Sequence, residues 1–317
     1  MQKILGIGTA LVDIISKVQD PIISKLSLNK GSMSLIEENQ ISQIRSYFKR
    51  PLIPSGGSVC NTIHELNNSK HEALFFGKLN DDDYGKAFVK DMEEANISFL
   101  GVKEKNSLPT GCCNILVTED GERTMATYIG IGSQLSPEDI KEKTFNNINH
   151  VYIEAYLWDH NLTKKALEKV GQLSKKLNFE LSFSLSDPFC VVRNRTELQE
   201  YITKNVDLIF CNFEEAKEFT QSENMNDIAK YFGHLKKKFV MTCGGEGAYY
   251  FNLDKVIHES ALKVKNVVDT TGAGDNFAAG FLEVYLDNSS NIKEALKNGN
   301  NKAAEVIQQL GPRIKRI

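Results

Sequence analysis

The stretch Val267–Gly280 reads VVDTTGAGDNFAAG. A short extended run leads into Gly272-Ala273-Gly274, Asp275 follows, and Phe277, Phe281 and Val284 then recur on one side of a helical pattern. Small residues let a backbone approach a ligand closely, and the N–H groups at a helix start point outward at the positive end of its dipole. That geometry cradles a phosphate or stabilises charge developing on one. An Asp in the same turn can take the proton of a hydroxyl that attacks phosphorus, a contribution of roughly 10²–10⁴-fold. A plain glycine turn, with Asp275 complementing the dipole, fits the bare pattern equally well.

Working outward, short apolar runs alternate with amphipathic helical stretches. Strands are expected at Lys3–Gly8, Ala73–Gly77, His150–Glu154, Glu180–Leu185, Leu208–Cys211, Phe239–Thr242 and Ala248–Asn252. Helices are expected over Val59–Asn67, Thr163–Leu177 (capped by Asn161 or Thr163), Phe213–Thr220 and Asn226–Lys236. This alternation predicts an α/β fold of three layers around a central, mostly parallel sheet. Two segments break the rhythm. Residues 14–36 hold short alternating pieces around Gly31, and Thr110–Gly130 reads as a hairpin turning at Glu119-Asp120-Gly121. With no helix to cover them, these strands are expected to form a small β-sheet projecting as a lid (about 14–36 and 110–130) from a single domain spanning 1–317.

Composition narrows the function. Of 317 residues, 38 are Lys or Arg and 41 Asp or Glu, a net charge of −3, with 41% hydrophobic and 25% charged. These values exclude a disordered tail, a collagen-like fibre and a coiled coil. They also argue against nucleic acid as the main partner, which would need a basic excess. No run approaches the ~20 apolar residues of a membrane span. Asp13 interrupts the apolar start MQKILGIGTALVDII and no cleavage site follows, so this start is read as a buried strand of a cytoplasmic protein. The cysteines, at 60, 112, 113, 190, 211 and 243, have no CxxC pair and are read as reduced structural thiols. A GxxxxGK[ST] loop is missing, which excludes a Walker-type NTPase, and Leu11 stands where a dinucleotide fingerprint begun by Gly6 and Gly8 would need its third glycine.

Three further motifs lie in order along the chain. They are Ser55-Gly56-Gly57-Ser58-Val59-Cys60-Asn61-Thr62, Asn212-Phe213-Glu214-Glu215, and Thr242-Cys243-Gly244-Gly245-Glu246-Gly247. Together with DTTGAGDNFAAG they resemble the signatures of the ribokinase-like (PfkB) family of carbohydrate and nucleoside kinases, over nearly the whole chain. The resemblance implies an ATP- and Mg²⁺-dependent kinase. Asp275 would be the base, with Gly272, Ala273 and Gly274 as the anion cradle. Gly56, Gly57, Ser58 and Asn61 would meet the substrate, and Asp13 would hold sugar hydroxyls, as a carboxylate after a strand can. Asn212 and Glu215 would organise Mg²⁺ and phosphate, partly through water, although their spacing alone marks just an exposed helix start. Thr242, Gly244 and Gly247 resemble a nucleotide-proximal turn, and a simple hairpin turn fits them too. Arg123 in the hairpin is a candidate to reach the γ-phosphate, or a solvated surface arginine. Asp269 and Thr271 resemble positions that build a monovalent-cation (K⁺) site in some relatives.

GTALVDI, KGSMSLI, VTEDGERTMATYIG, YIEAYLWD and SLSDPFCVVRNR resemble the bacterial adenosine-kinase-like branch. That branch implies phosphorylation of a ribose-type primary hydroxyl, adenosine to AMP. Tyr156 would offer the purine a stacking face, with Met33 and Leu35 opposite, and a core or lid-packing role fits all three equally well. Thr9 departs from the Asn found in many such kinases. A ribose- or fructose-type sugar kinase is the alternative, and a catalytically silent binding protein a second one. The partner is a small molecule, and the lid strands fit either a monomer or a lid-paired homodimer.

Overall fold

The computed structural model describes residues 1–105, 107–253 and 255–315. Its central sheet has nine strands, in the order Lys255–Glu259, Ala248–Asn252, Lys238–Thr242, Leu208–Asn212, Glu180–Ser184, His150–Glu154, Lys3–Ile7, Glu72–Phe76 and Ser98–Phe99. The last seven in that order are parallel, and the first two join antiparallel. Buried on both faces, the strands send alternate side chains to two separate apolar clusters. Ile4, Phe75 and Tyr152 go to one, with the helices Ser58–Leu66 and Ala273–Asp287; Leu5, Phe76 and Val151 go to the other, with Asn161–Leu177 and Met225–Leu235. Gly6 is required by close approach, since a Cβ there would stand 2.5 Å from Ile63. The expected three-layer α/β architecture is thus present. Among the described residues no helix is long and apolar enough to cross a membrane.

Chain direction sets where a ligand can enter. From Lys3–Ile7 the sheet grows one way through Glu72–Phe76, and later the other way from His150–Glu154. The carboxyl ends of these strands flank the switch point, where open α/β sheets leave a crevice.

A second sheet of five strands runs Met33–Leu35, Arg123–Tyr128, Gly111–Val117, Leu11–Lys17, Ser55–Gly56. The Thr110–Gly130 hairpin forms as read, with Gly121 at φ 85°. Three details differ from the sequence expectation. The sheet also takes in Leu11–Asp13 and the edge strand Ser55–Gly56, which is too short to show a period. The segment 14–36 includes a helix, Asp20–Lys25, started by Pro21. The strands are also covered: Val12, Ile14, Cys112, Leu116 and Ala126 pack with helical Ile23, Ile44, Phe88 and Met92. The opposite face, with Leu11, Cys113, Ile115 and Met125, looks onto the crevice. Likewise Asn161–Leu177 is entered through His160 rather than Asn161 or Thr163. The Thr163 hydroxyl bonds back to the carbonyl of His160 at 2.8 Å.

Glu154 ties these parts together. It ends a central strand, is 1% exposed, and accepts the N–H of Thr9 at 2.8 Å and of Val59 at 3.0 Å. One carboxylate therefore positions both the loop after the first strand and the start of the helix Ser58–Leu66. Glu154→Ala strands two buried donors and is expected to lower unfolding stability by about 2–5 kcal/mol, and Glu154→Gln by about half that. Urea unfolding of both variants checks this, and equal stability of Ala and wild type would refute it.

Candidate active site

The helix Ala273–Asp287 starts from Gly272, which has φ 76° and no room for a side chain, because a Cβ would lie 2.5 Å from the Pro312 carbonyl. The Ala273 N–H is already bonded to the Thr270 carbonyl, and that of Asn276 closes the first helical bond to Gly272. This removes Ala273 from the expected cradle and leaves the N–H groups of Gly274 and Asp275 without an intrahelical acceptor. A Cβ on Gly274 would meet nothing within 4 Å, so this turn is open to an incoming group.

Asp275, in that turn, is held from across the crevice. Ser58 Oγ donates to its Oδ1 at 2.6 Å and Asn61 Nδ2 to its Oδ2 at 2.9 Å. Thr62 Oγ1 donates to its carbonyl at 3.2 Å. Ser58, Asn61 and Thr62 share one face of the helix Ser58–Leu66, as i, i+3 and i+4 spacing requires. Burial pushes the Asp275 carboxyl up to about 6, against the two hydrogen bonds and the charge of Arg313, which favour the ionised form.

Asp275 stands where two cavities meet. The larger, about 290 Å³, is lined by Asp13, Gly57, Ser58, Asn61, Tyr156, Thr271, Gly272 and Asp275. Its remaining wall is largely apolar, with Leu11, Met33, Leu35, Ile115, Met125 and Ile129. Gly56 lies just behind it, and a Cβ there would be 2.2 Å from Asp13 Oδ1. The Asp13 carboxylate has no hydrogen-bond partner among the described residues, and burial raises it to about 7. The smaller cavity, about 90 Å³, shares Ser58, Ser186 and Asp275 with the first and adds Asn212, Glu215, Thr242 and Gly274. Asn212 and Thr242 in turn border an open groove with Gly244.

Asn212 and Glu215 form a capping box for the helix Phe213–Thr220. The Glu215 N–H donates to Asn212 Oδ1 at 2.8 Å, and the Asn212 N–H to Glu215 Oε2 at 2.9 Å. The start of this helix is therefore not exposed at Glu215, which is 5% accessible and raised to about 7 by burial. Among the described residues no group of three or more acidic, His or Cys side chains could hold a metal. This donor set suits an ion that keeps its waters and phosphate oxygens, as Mg²⁺ does.

Four expected residues sit differently. Arg123 is not a solvated surface arginine: it is 7% exposed, and its Nε lies 3.0 Å from Asp269 Oδ2, with Nη1 buried and lacking a hydrogen-bond partner among the described residues. Asp269 also accepts the N–H groups of Thr271 at 2.9 Å and Gly311 at 2.8 Å. An aspartate facing a guanidinium and two amides does not fit a K⁺ site, so Asp269 and Thr271 are not a cation site in this conformation. Gly247, with φ 102°, packs its Cα against the Glu259 carbonyl and closes a simple turn, away from the groove. Sequence reading missed Glu154 and Arg313. A charged residue ending the apolar run His150–Glu154 was the available signal for the first, and none existed for the second.

The chain is 34% identical to the adenosine kinase of Sinorhizobium meliloti, whose crystal structure matches with a TM-score of 0.91 over 98% of this chain and 95% of that one. It is 25% identical to adenosine kinase 2 of Arabidopsis thaliana, covering 97% of this chain and 94% of the relative. It is also 25% identical to the ribokinase of Staphylococcus aureus (strain COL), covering 81% and 83%. Residues 36–316 match the model of the pfkB family carbohydrate kinases. With its two cavities meeting at one half-buried aspartate, this chain belongs to the pfkB carbohydrate kinase family and is a phosphotransferase acting on a hydroxyl group.

Proposed function

We propose that this kinase transfers the γ-phosphoryl group of ATP to the 5′-hydroxyl of adenosine. The observation that carries the reading is Asp275 at the junction of an acceptor cavity and a donor groove. In the acceptor cavity, the Asp13 carboxylate is free to accept hydrogen bonds from two neighbouring ribose hydroxyls. The apolar wall with Met33, Leu35, Ile115, Met125 and Tyr156 suits a purine, and a free sugar would leave it wet and unfilled. The similarity to two adenosine kinases supports the same choice. The similarity to a ribokinase keeps a ribose-type sugar as the second reading.

As the hydroxyl oxygen bonds to phosphorus, its proton passes to the Asp275 carboxylate and the bond to the β-phosphate oxygen breaks, releasing ADP. The open N–H groups of Gly274 and Asp275 face the transferring group. Arg123, with an unpaired buried Nη1, is the cation that would turn from Asp269 toward the γ-phosphate. Mg²⁺, held mostly by phosphate and water near Asn212 and Glu215, would offset charge on the phosphates.

Nucleosides and sugars screened with Mg²⁺-ATP, reading ADP release, test the reading. Adenosine is expected to turn over and to raise the melting temperature. Phosphorylation of ribose or fructose without adenosine would replace it with the sugar-kinase reading, and no turnover on the panel would refute both. Asp275→Asn is expected to lower kcat by about 10²–10⁴-fold with little change in adenosine binding. Near-normal turnover would remove Asp275 as the base.

The same variant has a stability signature. The folded pKa of Asp275 lies above its unfolded value, so the folded state binds the extra proton between about pH 4 and 6. The stability associated with this group is complete below that window and is lost as pH rises through it. Asp275→Asn is therefore expected to stabilise the protein relative to wild type by roughly 1–3 kcal/mol more at pH 8 than at pH 4. Parallel urea titrations at both pH values measure this, and a pH-independent difference would contradict it.

A further inference from the structure

The segment Gly311–Arg313 lies against the catalytic turn from outside both sheets. The Gly311 N–H donates to Asp269, the Pro312 carbonyl accepts from Asn276 Nδ2 at 2.8 Å, and Pro312 presses on Gly272. Arg313 is thereby delivered beneath the substrate motif. Its Nη1 donates to Asp91 Oδ2 at 2.8 Å. Its Nη2 donates to Ser55 Oγ at 2.7 Å and to the Ser55 carbonyl, and its Nε to Asn61 Oδ1 at 3.3 Å.

The last contact decides which way the Asn61 amide faces. An amide has one accepting end and one donating end. With Oδ1 turned to the guanidinium, Nδ2 must point to Asp275 Oδ2, which lies 2.9 Å away. Reversed, the amide would set its oxygen against the carboxylate and leave Arg313 Nε without an acceptor. The Ser55 contacts likewise hold the strand that leads through Gly56 and Gly57 into Ser58, the other donor to Asp275. Asp91, which also accepts the Ser55 N–H at 3.2 Å, anchors the guanidinium from the helix Asp83–Glu94.

We propose that Arg313 is a positioning residue for phosphoryl transfer, acting through Asn61 and Ser55 to hold the Asp275 carboxylate in its reactive orientation. Arg313 lines neither of the two cavities that meet at Asp275. The proposal rests on the reading of Asp275 as the base. A planar fork is needed because Asn61, Ser55 and Asp91 lie in three directions from one side chain, and a lysine, with a single nitrogen, cannot reach all three.

Steady-state kinetics with adenosine and Mg²⁺-ATP on Arg313→Gln, Arg313→Lys, Asn61→Ala and the Gln/Ala double variant test it. Arg313→Gln is expected to lower kcat about 10–100-fold with KM for ATP within about twofold, as loss of orientation does. Arg313→Lys is expected to recover little of it. Added to Asn61→Ala, Arg313→Gln is expected to cost less than about twofold more, because the two act in series. Full multiplication of the two effects, or full recovery by lysine, would overturn the proposal. If Arg313→Gln fails to fold, Asp91→Asn, which loosens the anchor and keeps the guanidinium, is put through the same cycle with the same expected non-additivity. Asp275→Asn is assayed alongside: normal turnover there refutes the base, whereas additive Arg313 and Asn61 effects with an inactive Asp275→Asn refute the positioning role alone.

Discussion

A carboxylate drawn out of water costs free energy unless its lone pairs are met by donors, and the candidate site is organised around meeting those of Asp275. Ser58 and Asn61 supply them from a helix on the far side of the crevice. Burial still lifts the pKa to about 6, closer to the range in which a general base works at neutral pH than an exposed aspartate would be. Asp13, Glu154 and Glu215 lie near enough for the Asp275 charge to raise their pKa values as well. Such a concentration of acids in low dielectric is costly, and the carboxyls meet that cost by binding protons more tightly than exposed ones do.

Each of the other acids has its own local solution. Glu154 accepts two backbone amides and so joins the central strand to the first loop and the substrate helix. Glu215 is satisfied within its capping box. The Asp13 carboxylate alone has no donor among the described residues, and it lines the larger cavity. The charges of Arg313 and Arg123 both favour the ionised form of Asp13, and that of Arg313 the ionised form of Asp275.

Much of the architecture was readable because its signals are local. Alternating apolar runs placed the seven expected strands of the main sheet, and Asp120-Gly121 marked the hairpin. The order Gly272 to Asp275 marked a helix start beside an acid. Local patterns left alternatives open where a residue's role depends on remote partners. The Asn212–Glu215 spacing is the same for an exposed helix start and a buried one. Arg123 looks like any hairpin arginine until Asp269 is placed opposite it. Gly247 shares a motif with Gly244, yet packs on Glu259.

By itself the sequence determined the α/β class, the glycine turn and the acid within it, because periodicity, positive φ and helix starts are settled within a few residues. The tertiary structure alone decided which groups surround that acid. Ser58 reaches Asp275 across 217 positions of chain and Arg313 reaches Asn61 across 252. No local pattern encodes such pairings; they exist only once parallel strands and their crossover helices have closed the crevice, which is why Arg313 left no trace in the motifs.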